Sequence, residues 1–70
     1  MLSSSETIRR IRINMGLNQD EFARELGITK SAVCKYETKQ RSPATNIIRK
    51  LKELADKHNI EVTYEDFFEK

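Results

Sequence analysis

Apolar residues recur at helical spacing along most of this chain. Ile8, Ile11 and Met15 make one stripe, Phe22, Ala23 and Leu26 a second, and Ala32, Val33 and Tyr36 a third. The fourth is the longest: Ala44, Ile47, Ile48, Leu51, Leu54, Ala55 and His58 fall within an arc of about 120° when projected at about 100° per residue. Only Ile60 to Thr63 alternates apolar with polar, and four residues are too few for more than an extended link. The pattern predicts an all-α fold.

Punctuation between the stripes sets the element boundaries. Ser3 and Glu6 have capping-box spacing, so a first helix is expected from Ser3 or Ser4 to about Met15. Ile13 falls off its apolar face. Gly16 stops that helix, Leu17 packs under the turn, and Asn18 with Glu21 caps a second helix that opens at Gln19. At Gly27 the chain leaves the helix sharply, a step that a residue lacking Cβ makes most easily, and Thr29 caps a third. Ser42 as cap and Pro43 at the first helical position predict a fourth helix over about 43–58, with His58 on its apolar side as a packed or capping residue. Thr63 and Asp66 would cap a fifth, over 64–68. The expectation is a compact five-helix bundle forming a single domain, 1–70.

The stretch 19–38, QDEFARELGITKSAVCKYET, organises the rest. Two short helices joined at Gly27 press Phe22, Ala23, Leu26, Ile28, Val33 and Tyr36 onto one core, a helix-turn-helix arrangement. Lys30, Ser31, Cys34, Lys35 and Thr38 take the other side of the second helix, which is therefore small, polar and basic. Such a face fits a DNA major groove, where lysines reach base-edge acceptors or phosphates and small neighbours allow close approach. Gln19 stands at the positive end of its helix, where a phosphate would meet backbone N–H groups and the side chain together.

Charge sharpens this picture. The net charge is only +2, but Lys30 to Lys52 holds seven basic residues against the single acid Glu37, whereas Glu53 to Lys70 holds six acids against two lysines. The basic stretch starts at the proposed recognition helix and runs through the loop behind it, as a phosphate-neutralising surface would. Charge alone is equally compatible with a solvated face. Arg9 and Arg10 are open to the same two readings, phosphate contact or solubility. A single cysteine, Cys34, rules out an internal disulfide and offers no metal cluster, as expected in a reducing cytoplasm. No apolar run is long enough to span a membrane, and the amino terminus lacks the pattern of a secretion signal. With one histidine, one cysteine, no Gly-rich phosphate loop and no converging acid pair, nothing supplies a nucleophile with its base, and no cofactor or metal is expected.

Gly16-Leu17-Asn18, Gln19, Ala23, Gly27, Ile28, Val33 and the run Lys35-Tyr36-Glu37 resemble the helix-turn-helix of phage repressors, Cro-like proteins and their bacterial relatives, over nearly the whole chain. The resemblance implies a lambda-repressor-like fold and sequence-specific binding of double-stranded DNA. It implies a phosphate contact from Gln19; the basic loop and the neighbouring polar residues add Lys39 and Arg41 as expected phosphate contacts, with Arg9 and Thr29 as further candidates. Base contacts would come from Lys30, Ser31 and Lys35, with Cys34 close to the groove floor. It also implies an ion pair between Arg12 and Glu37. The chain departs from the family at Thr38-Lys39, where an Asn-Gly pair is common, so a different loop shape is expected there.

A homodimer on a palindromic operator is the expected assembly, with Tyr64, Phe67 and Phe68 meeting across the two-fold axis. The alternative is a monomer holding all three aromatics in its core. The function expected is a repressor acting by operator occupancy, and the competing reading is an antitoxin or anti-repressor that uses the same fold to hold a protein partner.

Overall fold

The computed structural model describes residues 4–67. Within them the chain forms four α-helices, α1 (Ser4–Asn14), α2 (Gln19–Leu26), α3 (Lys30–Glu37) and α4 (Thr45–Lys57), followed by one 3-10 turn at Tyr64–Phe67. The predicted fifth helix is thus a single turn. Its Asp66 N–H donates to the Thr63 carbonyl three residues back at 3.1 Å, the 3-10 pattern, while the Asp66 carboxylate accepts from the Thr63 N–H at 2.9 Å. Phe68 and the proposed cap Ser3 lie outside the described residues.

The stripes converge on one core. Ile8, Ile11, Phe22, Leu26, Val33 and Leu51 are fully buried, joined by Tyr36, Ile47, Ile48, Ala55, Val62 and Phe67, while Met15, Leu17, Ile28, Leu54 and Ile60 are partly buried against it. Thr7, Ser4 and Ser5 are also buried on α1, positions that an apolar count passes over. The Thr7 hydroxyl donates to the Asp66 carbonyl at 2.9 Å, and Arg10 Nη2 donates to the Glu61 carbonyl at 3.0 Å. These bonds hold the chain after α4 down on α1. Phe67, one of the three aromatics expected at a subunit interface, is 3% exposed and belongs to the core of the monomer, so its ring has no surface left for a partner. Tyr64 is 49% exposed, and Ile13 points outward.

α4 begins later than its punctuation suggests. Pro43 is buried, and Ala44 behind it is extended at φ −70°, ψ 161°, without a side-chain cap, so the first turn starts at Thr45. The proline ring packs inward and acts as a core anchor, which leaves Ser42 outside the helix. Ala44 is exposed as a result, and His58, expected on the apolar side, is an exposed terminal residue where the chain leaves helical geometry at φ −100°.

All four helices end in the same way. A residue in the left-handed region follows each: Gly16 (φ 72°), Gly27 (φ 70°), Lys39 (φ 64°) and Asn59 (φ 57°). At each end the next residue's N–H reaches back five positions, Leu17 to Arg12, Ile28 to Ala23, Gln40 to Lys35 and Ile60 to Ala55, at 2.7–3.2 Å. These are Schellman closures, which satisfy carbonyls that a helix terminus otherwise leaves unpaired. Glycine and asparagine accept the conformation readily. Lysine does not, because its Cβ approaches the following carbonyl at a cost of about 1–2 kcal/mol. The loop after α3 therefore keeps the closure a glycine would favour, although Lys39 occupies the place. Lys39→Gly is expected to raise stability by about 0.5–1 kcal/mol once glycine's greater unfolded-state entropy is set against the relieved strain. For a domain of this size that is a rise of roughly 2–8 °C in thermal midpoint, readable by circular dichroism.

Candidate nucleic-acid interface

Local sequence builds the two motif helices. Asn18 Oδ1 accepts from the Glu21 N–H at 2.8 Å and Glu21 Oε1 accepts from the Asn18 N–H at 3.0 Å, a complete capping box that starts α2. Thr29 Oγ1 accepts from the Ala32 N–H at 3.1 Å and starts α3, so the hydroxyl considered for phosphate contact already has a structural task. Lys50 on α4 donates to the Leu26 carbonyl at 3.2 Å, and its ammonium lies beside Gly27, completing the end of α2.

Arg12, Gln19 and Glu37 meet where α1, α2 and α3 come together. Arg12 Nε donates to Glu37 Oε2 at 2.7 Å and Nη2 donates to Oε1 at 3.0 Å, a bidentate pair whose side chains are only 15% and 5% exposed. Arg12 Nη1 donates to the Leu17 carbonyl at 3.0 Å, and Gln19 Nε2 donates to Glu37 Oε1 at 3.4 Å. The hydrogen bonds that Arg12 donates to Glu37 raise its already high pKa; burial opposes this and the Coulombic attraction of the same carboxylate adds to it. The cation therefore stays charged at any pH the fold meets. Gln19 is half-buried at the mouth of this network.

The far side of α3 has a different character. Lys30, Ser31 and Lys35 are exposed and Cys34 is half-buried, whereas Val33 and Tyr36 face the core. Among the described residues the side chains of Lys30, Ser31 and Lys35 make no ion pair or internal hydrogen bond. Lys39 and Arg41 follow in the exposed loop. Not every base in the stretch is available: Lys50 is committed to Leu26, and Lys52 pairs with Asp56 at 2.7 Å. Arg9 is exposed on α1, a different element from the other cations.

The sequence reading missed a small network at the end of α3. The Thr38 hydroxyl donates to the Cys34 carbonyl at 2.8 Å, and Gln40 Nε2 donates to Thr38 Oγ1 at 2.9 Å. The available signal was a hydroxyl four residues beyond Cys34 in the last turn.

This geometry, two short helices set by a left-handed turn with a basic outward face on the second, coincides with a family match. The helix-turn-helix family profile matches residues 8–63. The chain belongs to the Cro/C1-type helix-turn-helix family. It is accordingly a DNA-binding regulator of transcription. No curated protein and no solved structure matches it. No helix among the described residues is long and apolar enough to cross a membrane, and these residues hold no cluster of three metal-ligating side chains.

Separate replacements test the buried pair. Glu37→Ala strands the Arg12 charge among three helices and is expected to cost about 3–5 kcal/mol in urea unfolding. The double replacement Arg12→Met, Glu37→Leu is expected to recover most of that loss, because no buried charge is left unpaired.

Proposed function

We propose that this regulator is a repressor that acts by occupying an operator in double-stranded DNA. One observation carries the reading: α3 holds Lys30, Ser31 and Lys35 exposed and without internal partners, while its opposite side is locked into the core. A face so prepared meets a groove with little reorganisation. In this reading Lys30, Ser31 and Lys35 contact base edges with Cys34 near the groove floor, and Gln19, Lys39 and Arg41 contact phosphates, with Arg9 and Thr29 at the margins. Gln19 supports the phosphate role from the first turn of α2, where the helix dipole favours an anion.

The operator is palindromic and is read by a homodimer. Phe67 is buried, so among the described residues the two-fold contact falls to exposed Tyr64. Two recognition helices about 34 Å apart match half-sites one helical turn apart. Tyr64 lies among the exposed acids Glu61 and Glu65, an arrangement that also supports contact with a basic protein partner, as an antitoxin would make.

Fluorescence anisotropy against a pool of random duplexes at two salt concentrations, with sequencing of the retained fraction, tests the proposal. Enrichment of a palindrome whose half-sites lie one turn apart is expected, together with reduced transcription from a promoter overlapping it. Binding that vanishes with salt and enriches nothing would overturn the reading. On the selected site, Arg41→Ala is expected to weaken all sequences alike and to lower the salt slope by about 1, the signature of a lost phosphate contact.

A further inference from the structure

The hydrogen-bonding groups around α3 are strongly one-sided. The free side chains on its outward face are the ammonium donors of Lys30 and Lys35, the Ser31 hydroxyl, and the weakly polar Cys34. Groups that would read other edges are already engaged. Adenine is read by an amide that presents its N–H and C=O together. Both nearby glutamines hold an amide nitrogen to a neighbour within the motif, Gln19 to the half-buried Glu37 Oε1 at 3.4 Å and Gln40 to the exposed Thr38 Oγ1 at 2.9 Å. Cytosine is read by a carboxylate that accepts from its N4 amine. Glu37 is bound by Arg12, Asp20 by Arg24 at 2.7 Å, and Glu21 by the Asn18 N–H.

A face that donates at two points, with its neighbouring acceptors occupied, matches the base edge that only accepts. In the major groove that edge is guanine, with N7 and O6. Lys30 and Lys35 are five residues apart along α3, about 7.5 Å of helix rise, a span of roughly two base-pair steps. The short Ser31 and Cys34 side chains lie between them, where a base pair can approach closely, and the apolar flank of Cys34 suits a thymine methyl.

We propose that α3 is a guanine reader: Lys30 and Lys35 each donate to the N7/O6 edge of a guanine, the two guanines lying within about three base pairs of one another in each half-site. The proposal rests on α3 being the major-groove helix, and it goes further by naming the bases and the two residues that select them.

The test uses the full chain and the duplex selected from the random pool. Each half-site guanine is replaced in turn by 7-deazaguanine, which lacks the N7 acceptor, and by hypoxanthine, which keeps N7 and O6 but loses the minor-groove amine. The 7-deaza duplexes are expected to bind roughly 5- to 150-fold more weakly and the hypoxanthine duplexes unchanged. Lys30→Ala and Lys35→Ala should each lose sensitivity to one modified guanine only; both residues are exposed, and melting curves check that the variants fold. The base-analogue arm needs no variant. A specific site whose affinity ignores 7-deazaguanine, or lysine variants that weaken every duplex equally, would overturn guanine reading and leave operator binding intact. A pool that enriches no sequence would overturn operator binding itself, and this proposal with it.

Discussion

The Arg12–Glu37 pair is the constraint on which the relative placement of the first three helices depends. One carboxylate, at the last residue of α3, accepts from a guanidinium on α1 and from an amide at the first residue of α2. The same guanidinium also holds the Leu17 carbonyl in the turn before α2. Apolar packing between helices this short tolerates sliding by a fraction of a turn, because one methyl replaces another at little cost. A buried bidentate charge pair does not tolerate it: each lost hydrogen bond leaves a desolvated charge. The pair therefore fixes an angle and a register that hydrophobic contact leaves loose, and it does so at the end of α3, the helix with the exposed basic side.

A second constraint is brevity. α2 and α3 have eight residues each, too short to persist alone, so their ends must be defined by local chemistry. Each is opened by a side-chain cap and closed by a left-handed residue, and the α2 end receives Lys50 from α4 as well. Lys39 is the exception among the closures, the only left-handed residue with a long side chain among the described residues. It stands in the basic loop that follows α3, so strain and charge coincide at one position. That coincidence fits a site where a cation is retained against conformational preference.

The charge asymmetry along the chain becomes more specific once partners are assigned. Of the seven bases from Lys30 to Lys52, Lys50 and Lys52 serve the fold, through a carbonyl cap and an i,i+4 pair, Arg49 is exposed on α4, and Lys30, Lys35, Lys39 and Arg41 are exposed on α3 and in its loop. The acids divide in the same way. Glu37, Asp20 and Glu21 of the motif helices are tied to Arg12, Arg24 and the Asn18 N–H, while Glu61 and Glu65, near Tyr64 in the chain, are exposed. Lys30, Lys35, Lys39 and Arg41 thus form one run of exposed cations on α3 and in the loop behind it, while Arg9, Arg49 and Lys57 are exposed on α1 and α4.

The sequence by itself determined most of what depends on neighbours along the chain. Helical periodicity predicted the all-α class, Asn18, Glu21 and Thr29 marked the starts of α2 and α3, Gly16 and Gly27 marked helix ends, and alternation of core and polar positions separated the two sides of α3. Interactions within about five residues dominate all of these, so the local pattern is sufficient. Tertiary structure decided the rest. Pro43 looked like a helix start but is buried ahead of it, and Ala44 stays extended before the first turn at Thr45. Phe67 looked available to a partner but belongs to the monomer core, since the turn that carries it lies against α1 and α4. Lys50 and Lys52 were indistinguishable from DNA-facing bases until their partners at Leu26 and Asp56 were in place. A side chain's direction relative to remote elements is not a property of its neighbours in sequence, and the freedom of Lys30, Ser31 and Lys35 is legible only once every alternative partner has a position.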